Sequence, residues 1–274
     1  MKRFAIHVHV FYSELWSEIA NCLKNFPPAE CDIFITAPAK NEVLCQQIIN
    51  SLPNASYEIT ENRGYDVGPF VETINHIELS QYEYIVKLHT KRNWRGWFNS
   101  TFVRGSIWRD LLIEFCATKD NLNRCLSIFS ADPNVGVVAS PDVIVKHGDY
   151  LEAEIVKQKA EMLIHKCGLI PRDRTFVGGT MFICRAKLLR PIQGLHSISD
   201  FDIIHKHELG TLAHVYERLL GYIISAQGYH IAPFRHSMLI LPRLWFIIVP
   251  AYKVLSFIRN QMPDRRRKRS KCQQ

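Results

Sequence analysis

The sequence predicts an α/β fold in which a mainly parallel sheet is flanked by helices. In the first third of the chain, short runs rich in β-branched and aromatic residues alternate with runs that show helical spacing. The hydrophobic content of 47% is sufficient to bury a substantial core. Two polar motifs, one of them containing glycines, lie at the ends of the third and fourth predicted strands, where parallel sheets bind ligands.

The predicted strands of the first half are residues 4–11, 31–37, 55–60 and 82–88. Apolar residues at helical spacing predict helices over residues 13–25, 41–52 and from Pro69 to about Leu79. Strands that alternate with helices of this length form right-handed βαβ units and a parallel sheet.

The second half is less regular, with predicted helices over residues 102–117, 121–131, 151–167 and 211–226. Its predicted strands are residues 136–140, 176–185 and 229–232, the second of them interrupted by two glycines. Since no repeat or low-complexity linker separates the halves, we expect one domain over residues 1–236.

The net charge of +8 is concentrated in residues 259–274, where seven basic residues and one aspartate give a net charge of +6. A nucleic-acid-binding domain usually spreads its basic residues over one face of the fold, so this class of protein is not expected.

Residues 238–258 are apolar enough to span a bilayer, but a spanning helix would bury Arg243. We therefore expect residues 237–274 to form an apolar, then basic, membrane-associating tail. In this tail, residues 265–271 would contact anionic headgroups with about 1 kcal/mol per basic side chain. The alternative is a helix that packs on the core, followed by a solvated tail.

The eight cysteines include no C-x-x-C pair, which argues against a zinc ribbon or a thioredoxin motif. Several, such as Cys184, lie in apolar runs typical of free thiols in a reducing compartment. Residues 1–4 lead directly into a predicted strand without a signal-peptide pattern, so we expect a cytoplasmic protein.

Residues 62–70 (NRGYDVGPF) form a turn between the third predicted strand and the next helix. Gly64 and Gly68 permit positive φ or close backbone approach, and the N–H groups that open a helix can bind phosphate. Arg63 adds a planar guanidinium, and Asp66 can accept a hydrogen bond from a ribose or a base. An ordinary capped turn explains the composition equally well.

Residues 87–92 (KLHTKR) place three basic side chains and a histidine at the end of the fourth predicted strand. On a strand, Lys87, His89 and Lys91 share one face, which would attract a diphosphate. The alternative is an exposed polar strand end. A strand inside a parallel sheet is normally apolar, however, so the motif favours a functional role.

Two further motifs lie in the second half. Residues 178–182 (GGTMF) put small side chains inside a predicted strand, where either a ligand approaches or a bulge packs. Residues 210–218 open a helix on which His214, Glu217 and Arg218 share a face. His214 or Glu217 could take a proton from an acceptor hydroxyl, or the group could be a surface ion pair.

His205, His207 and His214 suggest a metal site, but their spacing fits no standard zinc pattern. The sequence also contains no G-x-x-x-x-G-K-[ST], G-x-S-x-G or H-E-x-x-H motif. We therefore expect no metal-binding residues.

Over residues 4–235 the chain resembles the rhamnan synthesis protein F family. The matching segments, in the same order, are residues 9–12 (HVFY), 32–36 (DIFIT), 62–70 (NRGYDVGPF), 87–92 (KLHTKR), 178–185 (GGTMFICR) and 210–218 (GTLAHVYER). That family is associated with rhamnose-containing cell-surface polysaccharides, and its members are taken to be rhamnosyltransferases. The resemblance implies a glycosyltransferase fold of the GT-A kind, similar to the family 2 inverting glycosyltransferases.

The resemblance also implies roles by position. The donor-binding residues would be Thr36, Asn62, Arg63, Asp66, Lys87, His89 and Lys91. The residues lining the sugar or the acceptor would be Gly178, Gly179, Thr180 and Arg218. His214 or Glu217 would be the catalytic base.

The chain departs from the GT-A pattern at the fourth strand, where KLHTK replaces the Asp-x-Asp that holds a divalent metal. Lysines and a histidine could neutralise the donor diphosphate directly, so we expect metal-independent transfer and no cofactor, with a divalent metal as the open alternative. The expected substrates are a nucleotide sugar such as dTDP-rhamnose and a polysaccharide or lipid-linked glycan acceptor.

The expected location is the inner face of the plasma membrane, where the chain would bind the anionic surface beside partner glycosyltransferases. The alternative function is a non-catalytic sugar- or nucleotide-binding subunit that scaffolds other transferases. Binding to nucleic acid would rest on the tail alone and is not expected.

Overall fold

A twisted sheet lies at the centre of the computed structural model. The structure describes residues 2–92, 96–98, 101–103, 106–146, 154–204 and 210–235, except for the side chains of residues 96–98, 101–103 and 154.

The strands of these regions are Lys2–His9 (β1), Cys31–Ala37 (β2), Ala55–Ile59 (β3), Tyr82–His89 (β4), Gly96–Phe98 (β5), Thr101–Val103 (β6), Val135–Ala139 (β7), Ile144–Val145 (β8), Phe176–Val177 (β9), Phe182–Arg185 (β10) and His230–Pro233 (β11). The helices are Trp16–Leu23 (α1), Glu42–Ser51 (α2), Val67–His76 (α3), Ile107–Ile113 (α4), Lys119–Ala131 (α5), Glu154–Lys166 (α6) and Leu212–Ala226 (α7).

The central sheet has seven described strands in the order β11-β7-β10-β4-β1-β2-β3. Only β10 runs antiparallel to its neighbours, β4 and β7, and the other pairs are parallel. β5 pairs with β6, and β8 pairs with β9, outside this sheet. The predicted α/β fold with a mainly parallel sheet flanked by helices is confirmed.

The two central strands, β1 and β4, are buried over most of their length. Phe4, Ile6 and Val8 of β1 and Val86 and Leu88 of β4 have no exposed surface. Full burial of such side chains contributes about 1.5–3 kcal/mol each, so these strands anchor the core. Polar residues on the same strands are therefore exceptional and mark the site described below.

The expected helix over residues 102–117 is wrong at its beginning, because Thr101–Val103 is strand β6 and the helix starts only at Ile107. The local sequence GWFNSTFV contains aromatic and β-branched residues that favour a hairpin. The apolar residues of the expected helix do fit helical spacing. That spacing could not exclude a strand that pairs with β5, because strand pairing depends on a contact between two separate segments of the chain.

The expected single strand over residues 176–185 is also wrong, because it forms two strands, β9 and β10, in different sheets. A turn with positive φ at Gly179 and Thr180 (75° and 55°) separates them. Glycine adopts this conformation without steric cost, so Gly179 permits the change of sheet, whereas the positive φ of Thr180 is costly for a residue with a side chain.

Within the described part of the chain, none of the helices combines the length and the apolar character needed to cross a membrane. The expected membrane-associating tail, residues 237–274, lies outside the described residues.

Candidate functional site

The candidate site lies where β1, β2 and β4 end at the same edge of the sheet. Helix α3 begins at this edge, one residue after Asp66. Because β10 is antiparallel, the turn that precedes it, residues 178–180, arrives at the same edge. The topology thus brings three of the predicted motifs together.

A buried group of three side chains joins these motifs: Asp66 before α3, Lys87 on β4 and Thr180 before β10. The ammonium group of Lys87, which is 0% exposed, donates to the Asp66 carboxylate and to Thr180 Oγ1, the latter at 2.7 Å. Thr180 Oγ1 donates to Asp66 Oδ2 at 2.7 Å. A buried charge must be paired and hydrogen-bonded, and this arrangement meets both needs of Lys87.

The Asp66 carboxylate stays ionised in this environment. Burial opposes its ionisation, but His89, Lys87 and Lys91 outweigh burial and hold the pKa of Asp66 well below its ordinary value. The lysines of the predicted motif therefore stabilise the ionised form of a carboxylate that belongs to the protein itself.

His89 extends the group along β4. Its Nδ1 atom lies 3.3 Å from Asp66 Oδ2, and neither ring nitrogen has a hydrogen-bond partner among the described residues. Burial and the nearby Lys87 hold the pKa of His89 well below its usual value despite the attraction of Asp66. A neutral, buried imidazole whose nitrogens form no hydrogen bond within the described part of the chain is a candidate for binding a ligand.

A second polar network lies on β1 and β2, and only its member Thr36 was predicted from the sequence. The hydroxyl of Thr36 lies 3.0 Å from His7 Nε2 and 3.0 Å from His9 Nδ1. The predicted donor-binding residue Thr36 thus positions two histidines, His7 and His9, that the sequence reasoning missed. The available signal was their alternation within a strand that is otherwise apolar.

His9 is neutral at physiological pH. Burial lowers its pKa to about 4, assisted by Lys87 and opposed by Asp66. His9 pairs in register with His89 on the adjacent strand, and His7 pairs with Lys87. The two networks are therefore neighbours in the sheet.

Asn62 and Arg63 hold a distant segment at the site. Asn62 Nδ2 donates to the carbonyl of Ile204 at 2.9 Å, and Arg63 Nη1 donates to the carbonyl of Phe201 at 3.1 Å. Arg63 also forms a β-bridge with Ile203. Both predicted donor-binding side chains thus fasten residues 201–204 against the turn.

The turn itself requires its first glycine and carries strain at Tyr65. Gly64 has a φ of 63°, and a Cβ at this position would lie 2.5 Å from the ring of Phe201. Tyr65 has a φ of 55°, which is costly for a residue with a side chain. The ring of Tyr65 lies edge-on to His214 with centroids 5.9 Å apart, so the strained residue contacts a predicted catalytic side chain.

Replacing Gly64 by Ala is expected to destabilise the protein by about 1–3 kcal/mol more than Gly194→Ala. Gly194 is the matched control, because its φ of 70° is similar but nothing lies within 4 Å of its Cβ position. Both variants carry the cost of positive φ, and only Gly64→Ala meets the buried ring of Phe201. Equal losses in urea unfolding would show that the turn adapts to the added methyl group.

Glu217 and Arg218 hold the other turn of the site. Glu217 Oε1 accepts the N–H of Gly179 at 2.7 Å, and its other oxygen accepts from the guanidinium of Arg218. Arg218 lies over the ring of Phe176, 4.6 Å from its centroid. The side chains are only 20% and 12% exposed, so this pair is more than a surface ion pair.

His214 lies one turn earlier on α7 and is half-buried. Its Nδ1 atom lies 2.8 Å from Thr211 Oγ1, which orients the ring against Tyr65. Of the two candidate bases, His214 faces the turn at residues 62–70 and Glu217 faces the turn at residues 178–180. Gly178, the first residue of the turn at residues 178–180, donates its N–H to the carbonyl of Val143 at 2.8 Å.

A rim of aromatic and basic side chains borders the site; it consists of Phe11, Tyr12, Lys40, Lys91 and Arg92. Thr90 Oγ1 accepts from the N–H groups of Phe11 and Tyr12 at 3.0 and 2.9 Å. Lys40 lies 4.1 Å from the ring centroid of Phe11, and Arg92 lies 4.4 Å from that of Tyr12.

The expectation that Lys91 shares a strand face with Lys87 is wrong, because β4 ends at His89. Lys91 instead lies two residues beyond the strand and belongs to the rim. Phe11, Tyr12 and Lys40 were missed, although an aromatic pair directly after a strand was visible in the sequence.

Among the described residues, no three His, Cys, Asp or Glu side chains are grouped to hold a metal ion. Asp66 is the acidic residue of the buried group, and its pairing with Lys87 makes it a poor ligand for a cation. His205 and His207, which suggested a metal site in the sequence, lie outside the described residues.

Two curated relatives match the chain, both called uncharacterized protein WxcX, from Xanthomonas campestris pv. campestris strains B100 and ATCC 33913. Each is 26% identical over 187 residues, which covers 67% of this chain and 26% of the relative. The chain therefore spans about a quarter of the length of these curated relatives.

Similar solved structures include S. aureus TarS 1-349, with 13% identity, a TM-score of 0.45 and coverage of 84% of this chain and 57% of that one. The same protein in complex with UDP-GlcNAc has 12% identity, a TM-score of 0.42 and coverage of 86% and 59%.

The family model for rhamnan synthesis protein F matches residues 1–229, which include the whole of the buried group and both turns. This match extends over most of the chain, and the chain belongs to the rhamnan synthesis protein F family.

Proposed function

We propose that the chain is a glycosyltransferase that uses a nucleotide sugar. The observation that carries this proposal is the buried group of Asp66, Lys87 and Thr180 beside His89, whose ring nitrogens have no hydrogen-bond partner among the described residues. This group lies at the strand edge where α/β folds bind ligands. Buried polar groups with perturbed pKa values cluster at functional sites. Membership of the rhamnan synthesis protein F family supports a role in sugar transfer.

The diphosphate of the donor would bind at the rim rather than directly against Lys87. The ammonium group of Lys87 already donates to Asp66 and Thr180 and has no exposed surface. Lys91 is partly exposed and can reach an anion, whereas the N–H groups of Val67 and Gly68 that open α3 are already bound to the carbonyl of Gly64. Lys87 and Asp66 would then hold His89 in place beneath the diphosphate.

The nucleoside would lie against the aromatic part of the rim. Phe11 and Tyr12 are fixed through their backbone by Thr90, and Lys40 and Arg92 lie over their rings. Aromatic surfaces bind bases of any identity by stacking, so this arrangement supports a nucleotide without specifying it. dTDP-rhamnose remains the donor that we propose from the family.

The transfer that we propose is an inverting displacement. The acceptor hydroxyl forms a bond to the anomeric carbon, the bond from that carbon to the diphosphate breaks, and a base takes the hydroxyl proton. Both oxygens of Glu217 are engaged by Gly179 and Arg218. His214 is therefore the base that the contacts favour, and Glu217 would shape the acceptor side of the site.

The acceptor that we propose is a polysaccharide or lipid-linked glycan, used at the inner face of the plasma membrane. The curated relatives are much longer than this chain, which supports a role beside further domains or partner transferases. The proposed attachment of residues 237–274 to anionic lipid remains a prediction.

A non-catalytic subunit that binds a nucleotide sugar and scaffolds other transferases is the second candidate. Two observations favour it: the strand-end acidic pair of GT-A enzymes is replaced by KLHTK, and the oxygens of Glu217 are both bound within the protein. Binding of a nucleotide sugar without turnover or hydrolysis would support this candidate over the first.

Lys91→Ala is expected to lower kcat/KM for the nucleotide sugar about 10- to 100-fold, because a hydrogen bond to a charged group contributes about 1.5–3 kcal/mol. Lys24→Ala is the matched control, since Lys24 is an exposed lysine directly after α1 whose side chain donates to Asn21 of that helix. Transfer would be measured with and without excess EDTA. Equal kcat/KM values for the two variants would contradict binding of the diphosphate at the rim. Loss of transfer in EDTA that is restored by magnesium would contradict metal-independent transfer.

A further inference from the structure

Helix α6 carries an outward face that makes no contribution to the site described above. This outer face of α6 consists of Ile155, Gln158, Lys159, Met162, His165 and Lys166, all of which are exposed. The residues recur at helical spacing and so lie in one stripe. The opposite side of the helix packs into the core through Val156, Ala160, Leu163 and Ile164.

Large apolar side chains are concentrated on and beside this face. Ile155 is 55% exposed, Met162 is 62% exposed, and Ile170, four residues beyond the helix, is 72% exposed. These are three of the six exposed large hydrophobic residues in the described regions, and the other three are scattered over separate parts of the chain. Single exposed apolar residues are ordinary, whereas a group on one helix indicates a surface that binds something.

The charged side chains of the outer face are both lysines. Lys159 and Lys166 lie on either side of Met162, and the six residues that define the face include no Asp or Glu. Neither lysine forms an ion pair with any residue that the structure describes. Glu161, on the flank, is neutralised by Arg174 at 2.6 Å.

We propose that the outer face of α6 docks on an anionic lipid bilayer. Helices that lie in the plane of a membrane combine an apolar stripe, which enters the headgroup region, with lysines that contact anionic headgroups. Ile155 and Met162 supply the apolar stripe, and Lys159 and Lys166 supply the charge. Because the buried side of α6 is packed in the core, the contact would fix the orientation of the folded domain.

This surface is separate in sequence from residues 237–274 and does not depend on the proposed transfer reaction. Together with the proposed tail contact, the 274-residue chain would carry two membrane contacts, one in the tail and one on the domain. An experiment must distinguish them, since the tail alone could bring the protein to a vesicle.

The first test compares binding of full-length variants to vesicles of phosphatidylserine and phosphatidylcholine. The variant Ile155→Ser/Met162→Ser is expected to bind roughly tenfold more weakly than the wild type, because it removes the apolar stripe. Val43→Ser is the control, as Val43 is 74% exposed on α2. Equal binding of all three proteins would overturn the proposal.

The second test reports on the face itself. Full-length Met162→Trp and Val43→Trp are mixed with anionic vesicles that contain a brominated lipid, which quenches nearby tryptophan. Stronger quenching in Met162→Trp than in Val43→Trp, absent with neutral vesicles and relieved by salt, is the expected result. Vesicle binding with equal quenching in the two variants would assign the contact to the tail and overturn the proposal. So would a dimer in light scattering that Ile155→Ser/Met162→Ser abolishes, since the face would then bind a second copy.

Discussion

Asp66→Ala is expected to destabilise the protein by about 3–5 kcal/mol, because it leaves the ammonium group of Lys87 buried without its counter-ion. Lys87 has no exposed surface, and without Asp66 its hydrogen-bond acceptors among the described residues would be reduced to the hydroxyl of Thr180, beside the ring of Phe70 at 5.3 Å. The loss would be measured as the change in the free energy of unfolding in urea at neutral pH. A loss below about 1 kcal/mol would show that the pair behaves like an exposed ion pair.

Two further variants identify the cause of that loss. Asp66→Asn/Lys87→Met removes both charges and is expected to be more stable than Asp66→Ala, since no charge is then left uncompensated. Glu161→Ala breaks the partly exposed pair with Arg174 and is expected to cost less than about 1 kcal/mol. If the double variant were as unstable as Asp66→Ala, lost packing rather than charge would be the cause.

The stability of the protein is expected to fall as the pH is lowered from 7.5 to 5, by about 2 kcal/mol from His9 alone. The pKa of His9 is about 4 in the folded protein, against an ordinary value of 6.5, so the unfolded chain binds the proton more readily. The contribution of His9 is therefore fully present above pH 6.5 and is lost as the pH falls toward 4. His7 and His89, whose pKa values are also lowered by burial, act in the same direction.

Asp66 is distinguishable from these histidines by its pH range. Its lowered pKa contributes stability that is present above its ordinary value of 3.8 and is lost only below that pH. Losses between pH 7.5 and 5 therefore report on histidines.

His9→Asn is the control, because the side-chain amide can replace Nδ1 at Thr36 without titrating. Its free energy of unfolding should fall by about 2 kcal/mol less than that of the wild type over the same pH range. The parallel variant His7→Gln, which replaces Nε2 at the same hydroxyl, should also lose less stability than the wild type over this range. Parallel pH curves for the wild type and His9→Asn would contradict the assignment.

Most of the sheet was predictable from local pattern. The strands β1, β2, β3 and β4 follow from their β-branched and aromatic residues, and the helices between them follow from their apolar spacing. These elements are long enough for periodicity to distinguish strand from helix, and they are close enough in sequence for the βαβ rule to set their order.

The elements of the second half were less predictable because their structure depends on distant partners. Thr101–Val103 becomes a strand only by pairing with Gly96–Phe98, and residues 176–185 split because their two ends pair in different sheets. The antiparallel direction of β10 depends on how the whole sheet is assembled, so no short stretch of the sequence specifies it.

The family, the mainly parallel sheet and the segments that meet at its edge could be predicted from the amino-acid sequence, because each depends on short continuous motifs. The roles of the side chains in those segments depend on the tertiary structure. Asp66, Lys87 and Thr180 are far apart in the chain, and their pairing exists because an antiparallel β10 returns the turn at residues 178–180 to the end of β4. The two lysines of the basic motif, which was predicted to bind a diphosphate, therefore have different roles. Lys87 neutralises a buried carboxylate of the protein, and Lys91 lies beyond the end of the strand, at the rim.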